Sequence, residues 1–292
     1  MANWKIWLEA TRPKTLPAAL TPVLLASALA YADEGFHLIA AALCFFFALF
    51  MQVGTNLAND YLDGVKGTDT PDRLGPRRAV AAGIVSASVM RRAAIGVLFF
   101  GFCLGLALIP FGGWWLLAIG LASVAAAWCY TGGPYPLAYN GLGDVFVVLF
   151  FGLIALGVSY YVQTGVFLAD AVWLGLGCGL LINNLLVVNN YRDMEGDAKA
   201  NKRTLVVRFG RRFARAQCSA ASLISGGVLL LLCSRGAGYW ILAGLLPAAS
   251  GFRLAAGLQS AQSAEDYLRC LEIAGKAVIA YGLLVSLGLL LV

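Results

Sequence analysis

Long apolar runs separated by short charged segments set the organisation of this chain. They fall at roughly 16–32, 36–61, 88–109, 112–130, 142–163, 171–191, 216–234, 237–257 and 273–292. Each is close to the roughly 20 residues that a helix needs to cross about 30 Å of hydrocarbon. Lipid offers no partner to a free backbone N–H or C=O, so runs of this kind span as helices. A β-barrel is disfavoured, because its strands would alternate apolar and polar positions over about 10 residues. The pattern predicts an all-α membrane protein with nine transmembrane helices around a central cavity. Residues 1–292 form a single domain in this reading, with functional loops at 63–87 and 192–215.

Composition agrees with the pattern. The chain is 60% hydrophobic and 12% charged, with a mean hydropathy of +0.80, far more apolar than the core of a soluble domain requires. When the nine runs are threaded alternately, all 21 Lys and Arg except Arg235 fall on the side of the N-terminus. Asp33, Glu34 and Asp170 lie on the opposite side. The positive-inside rule then places the N-terminus and both functional loops in the cytoplasm and the C-terminus outside. The net charge of +6 is read as a topology signal and as contact with anionic membrane lipid, not as a nucleic-acid footprint. No cleavable leader is expected, since charge persists to Lys14 without a small-residue cleavage site. The seven cysteines lie almost entirely within the runs without CxxC pairing and read as small buried hydrophobes. His37 has no second histidine, which excludes a histidine metal centre.

One polar pattern occurs twice, 130 positions apart, where an apolar run meets a charged loop: Asn59-Asp60-Tyr61-Leu62-Asp63 and Asn189-Asn190-Tyr191-Arg192-Asp193. Asn56, Asn59, Asp60 and Asp63 recur at helical spacing and share one face. Asn190, Asp193 and Asp197 make an equivalent stripe if the sixth helix continues past Tyr191. A single acid at a helix end is usually solvated by headgroup water, but two matched stripes at one membrane level point to a shared cation. Carboxylate and amide oxygens, without thiolate or imidazole, suit Mg²⁺. Magnesium usually shares its shell with phosphate oxygens, so a diphosphate substrate is expected. Lys66, Arg73, Arg77 and Arg78 follow the first stripe, and Arg192, Lys199, Lys202 and Arg203 the second, as candidates to hold phosphate. The site opens between membrane helices, so the remainder of that substrate is read as lipid.

These motifs resemble the two aspartate-rich motifs of the UbiA superfamily of intramembrane prenyltransferases, over nearly the whole chain. The supporting segments are Arg12-Pro13-Lys14-Thr15-Leu16-Pro17, Gln52 to Tyr61, Tyr130-Thr131-Gly132-Gly133-Pro134, and Asn189 to Asp193 with Asp197. They are most similar to the branch that prenylates 1,4-dihydroxy-2-naphthoate. The resemblance implies transfer from a polyprenyl diphosphate, with Mg²⁺ held by Asp60, Asp63, Asp193 and Asp197, in a bacterial inner membrane. It also implies that an allylic cation is attacked by the hydroxylated ring and that the naphthoate carboxyl leaves as carbon dioxide. Asn56, Asn59, Tyr61, Lys14, Lys66, Arg77, Tyr191, Lys199, Lys202 and Arg203 are the substrate-binding candidates. The first motif departs from the general pattern at Gly67, where a third Asp is common; Asp69, two residues on, is a further metal candidate. Tyr130, Tyr135 and Tyr139 lie at the same mouth, but tyrosine is enriched at membrane interfaces in any case.

Three other readings share some of these features. A 4-hydroxybenzoate prenyltransferase uses the same donor chemistry, so the acid motifs do not separate it from the naphthoate branch. A transporter would carry its acids near the midplane with paired broken helices, and both stripes here lie at the cytoplasmic edge. A CDP-alcohol phosphotransferase carries one acidic motif in a single helix-loop unit, which no segment here reproduces.

Overall fold

The computed structural model describes residues 4–67 and 78–291. Asp69, Arg73 and Arg77 lie outside the described residues. Among the described residues, eight helices are long and apolar enough to cross a membrane: Trp4–Ala32, Leu38–Lys66, Ala87–Leu106, Gly143–Thr164, Ala169–Arg192, Leu205–Ser234, Tyr239–Ser260 and Ala264–Leu289. The remaining run, the fourth at 112–130, forms the shorter apolar helix Trp115–Cys129. No strand occurs among the described residues. The fourth run is shortened by its flanks, which turn through Gly113 and Gly133, both at positive φ.

Several helices extend beyond the apolar runs that predicted them, each for a local reason. Leu38–Lys66 carries the first polar stripe and stops at Gly67, whose left-handed backbone (φ 68) caps the helix. Only glycine takes that conformation without a steric cost. The residue that departs from the aspartate pattern is therefore the helix terminator. Ala264–Leu289 begins before 273 because Ser263 and Asp266 form a reciprocal capping box. Leu205–Ser234 begins before 216, with Thr204 Oγ1 accepting from the Val207 N–H, and breaks at Gly210 (φ 82, ψ 175).

The second stripe differs from its expectation. The sixth helix ends at Arg192, Asp193 takes φ −91 and ψ 7, and a separate helix runs over Met194–Lys199. The Asp197 N–H donates to the Asp193 carbonyl at 2.8 Å, so the two acids sit one turn apart on the new short helix.

Packing makes the bundle asymmetric. Leu174, Leu181, Val228, Val278, Tyr281 and Val285 belong to one continuous core that joins the last four spans to Leu25 and Leu29 of the first. The main cavity, about 140 Å³, is bounded by the first five spans and the turns beside them. Val23, Cys44, Phe47, Met51, Phe150 and Val158 are among its apolar walls, with Gln52, Thr55 and Tyr130 among the few polar residues. The fifth span contributes through a π-helical stretch, Val148–Ile154, which widens the helix where Phe150 and Phe151 reach the cavity. Elsewhere on that stretch Gly152 meets Gly175 and Gly179 of the sixth span closely enough that a Cβ would stand 2.5 Å from the Gly175 carbonyl oxygen.

Candidate active site

The first motif sits on the last turns of Leu38–Lys66. Asn59 Oδ1 accepts from the Thr131 hydroxyl at 2.7 Å, and Asp63 Oδ1 accepts from the Tyr139 hydroxyl at 3.0 Å. The Arg78 guanidinium lies 3.8 Å from Asp63 Oδ2. Lys66 donates from Nζ to the Thr131 carbonyl and stands 4.4 Å from the Tyr139 ring centroid. Helical spacing thus puts Asn59, Asp63 and Lys66 on one face, and the loop after Cys129 closes over it.

The second motif reaches the same loop. Lys202 Nζ is 3.2 Å from Asp197 Oδ1 and 5.9 Å from the Tyr139 ring centroid, while the Arg203 N–H donates to the Tyr139 carbonyl at 2.8 Å. Tyr139 therefore joins the motifs: its hydroxyl holds Asp63, its ring faces two ammonium groups, and its carbonyl fixes the second loop. From sequence this tyrosine reads as an interfacial residue; its short separation from the Gly132-Gly133 turn is the available signal. Arg192, 6% exposed, grips Asp193 with two hydrogen bonds of 2.7 Å. This fork geometry orders the carboxylate as well as balancing its charge.

Several candidates have other occupations. Asp60, 2% exposed, accepts the Ala79 and Val80 backbone N–H groups at 3.0 Å each. It fastens the exit of the first loop to the helix, which holds neighbouring Arg78 beside Asp63. Asn56 is buried and donates to the Thr11 carbonyl at 2.9 Å and to the Thr15 hydroxyl at 3.1 Å, anchoring the N-terminal segment. Tyr61 packs near Trp128, with ring centroids 6.1 Å apart, and Tyr191 is buried between Tyr267 and the Arg211 guanidinium. Lys14 is exposed and pairs with Glu272 at 3.6 Å. The side chains of Lys199 and Arg203 are exposed at the rim.

Among the described residues, no three acidic, histidine or cysteine side chains converge as an all-protein metal cage. The donor set fits a different arrangement. Asp63, Asp193 and Asp197 offer hard anionic oxygens flanked by Arg78, Arg192 and Lys202, as Mg²⁺ requires when substrate phosphate supplies part of its shell. Tyr130 lines the apolar cavity and directly precedes Thr131, whose hydroxyl donates to Asn59.

Comparison with known proteins matches residues 19–274 to the UbiA prenyltransferase family. The chain belongs to that family. It is 34% identical over 290 residues to a 1,4-dihydroxy-2-naphthoate octaprenyltransferase of Mycobacterium tuberculosis, covering 98% of this chain and 97% of the relative. A Haemophilus influenzae protein of the same name is 40% identical over 219 residues, covering 70% of each chain. Among solved structures, a UbiA homolog from Archaeoglobus fulgidus bound to DMAPP and Mg²⁺ superposes with a TM-score of 0.68 at 15% identity, covering 96% of this chain and 99% of that one. The UbiA likeness in three dimensions fixes the fold, and the expected all-α membrane architecture stands.

Proposed function

We propose that this chain transfers a polyprenyl group from polyprenyl diphosphate to 1,4-dihydroxy-2-naphthoate, with loss of carbon dioxide and release of diphosphate, giving demethylmenaquinol, the reduced form of demethylmenaquinone, for menaquinone synthesis. The observation that carries the reading is the near full-length similarity to naphthoate octaprenyltransferases, joined to two acidic motifs that meet at Tyr139. Residues 1–292 act as one catalytic unit. Asp63, Asp193 and Asp197 hold Mg²⁺ together with the diphosphate, and Asn59 orients their neighbours. Asp60 contributes by keeping Arg78 on Asp63, and Asp69 and Arg77 join the site on the family resemblance alone.

Bound magnesium supplies positive charge that favours departure of the diphosphate. The chain's own cations act to the same end, since Arg78, Lys66 and Lys202 surround the acids, with Lys199 and Arg203 at the rim. A leaving diphosphate exchanges their present carboxylate and carbonyl contacts for phosphate oxygens. The prenyl tail enters the apolar cavity of the first five spans, where Phe47, Met51 and Phe150 exclude water from the allylic carbon. Given naphthoate and 4-hydroxybenzoate together with a polyprenyl diphosphate, the purified protein should prenylate the naphthoate. Robust product from the benzoate alone would overturn the acceptor assignment.

In this reading the protein sits in a bacterial inner membrane with the N-terminus and the site in the cytoplasm. Asp170 and Arg235, both expected outside, are joined at 2.6 Å, which supports assigning them to one side of the membrane. Ala200→Cys in a cysteine-depleted background should resist an impermeant thiol reagent in intact cells and react after lysis. Labelling from outside would refute the orientation.

A further inference from the structure

Asp144 is a buried acid that the proposed chemistry does not yet use. It lies in the first turn of Gly143–Thr164 and is 6% exposed. Its Oδ1 accepts from Asn183 Nδ2 at 3.0 Å and from Gln217 Nε2 at 2.7 Å. Both amides come from other spans, the sixth and seventh, and their own oxygens find no partner. An amide turned the other way would set oxygen against oxygen, so the carboxylate dictates the orientation of both. No Lys or Arg among the described residues forms a salt bridge with Asp144. A buried carboxylate without a cation is costly, and two neutral donors on one oxygen recover only part of that cost. Oδ2 has no hydrogen-bond partner among the described residues.

Asp144 also lies beside the reacting region. At the preceding residue, Gly143, a Cβ would stand 3.1 Å from the Tyr130 hydroxyl oxygen, so helix and phenol are in contact there. Tyr130 lines the apolar cavity, as do Phe146 and Val147 on the helix of Asp144. The residue after Tyr130 is Thr131, whose hydroxyl donates to Asn59 at 2.7 Å. Tyr130 therefore stands between the helix of Asp144, the prenyl cavity and the ionic site.

We propose that Asp144 is the acceptor-binding carboxylate, its Oδ2 taking a hydrogen bond from a ring hydroxyl of the aromatic acid. The inference rests on the prenyltransferase reading above and adds the pose of the acceptor. A hydroxyl bound to a carboxylate gives a strong charge-assisted hydrogen bond, and it raises electron density at the ring carbon that attacks the prenyl group. Like-charge repulsion turns the acceptor's own carboxylate away from Asp144, towards the basic rim. No bond to hydrogen need break at Asp144 itself.

The test compares 1,4-dihydroxy-2-naphthoate with its two monomethyl ethers, in the purified enzyme and in Asp144→Asn, at saturating polyprenyl diphosphate. The unmodified enzyme should favour the parent over one of the two ethers by about 10- to 100-fold in kcat/KM, the range expected for losing a hydrogen bond to a charged group. In Asp144→Asn, turnover of the parent should fall by a similar factor, that of the discriminated ether should hardly change, and the KM for the diphosphate should stay the same. Equal losses for parent and ether in the variant would reduce Asp144 to a structural role and overturn the proposal. Absence of discrimination in the unmodified enzyme would overturn it even if the variant does not fold. Failure of the unmodified enzyme to use any of the three naphthoates would instead remove the prenyltransferase reading, and this inference with it.

Discussion

Asp63→Asn and Asp193→Asn should each lower turnover by about 100- to 1000-fold while the protein still inserts and folds, the scale expected when one electrostatic partner of a developing charge is lost. The substitution keeps side-chain volume, removes the anionic charge and exchanges one acceptor oxygen for an NH2 donor. At Asp63 the Tyr139 hydroxyl can still donate to the amide oxygen, so the loop contact at 3.0 Å has a replacement. At Asp193 the Arg192 fork loses one of its two acceptor oxygens. Both variants leave a surplus cation, Arg78 or Arg192, that repels the metal and draws the diphosphate out of register. Chelation of magnesium should produce a comparable loss that added Mg²⁺ reverses. Near-normal turnover in either variant, measured on protein of unchanged thermal stability, would count against the shared site.

Gly152→Val is expected to damage the fold more than any change at the site. The Cβ of residue 152 would lie 2.5 Å from the Gly175 carbonyl oxygen and 2.9 Å from the Gly179 Cα. Both obstacles are backbone, so no rotamer change relieves them, and the fifth and sixth spans must move apart. Overpacking of this kind costs about 1–3 kcal/mol, and more when backbone must shift. Small residues at such crossings are what allow membrane helices to approach closely. The measurement is the melting temperature in detergent, which should fall clearly or give way to aggregation. An unchanged melting temperature would mean that this helix contact is wrong.

The spans were legible because hydrocarbon imposes a length and an apolar composition that few other structures need. The paired motifs were legible because the repeat preserved both residue type and spacing. What escaped depends on contacts between distant segments. Asp60 looks like Asp63 in sequence, yet Ala79 and Val80 return from the loop to take both of its oxygens. Asn56 follows the same periodicity but meets the N-terminal segment through Thr11 and Thr15. Tyr61 and Tyr191, inside the repeat, belong to the packing, while Tyr139, outside it, joins the two motifs. No periodicity marks that difference, because it arises from where the loop after Cys129 lands. The break at Asp193 was likewise invisible, since 190, 193 and 197 keep helical spacing across it. The polar cluster around Asp144 draws on three helices and has no local signature.

The fate of the acceptor's carboxyl group decides whether the proposed reaction is the right one. Purified protein in detergent, supplied with carboxyl-labelled 1,4-dihydroxy-2-naphthoate, a polyprenyl diphosphate and Mg²⁺, should release labelled carbon dioxide in step with the appearance of a lipid-soluble naphthoquinol. Omission of either the diphosphate or the metal should stop both. A prenylated product that retains the label, or no prenylated product from the naphthoate at all, would contradict the proposed reaction.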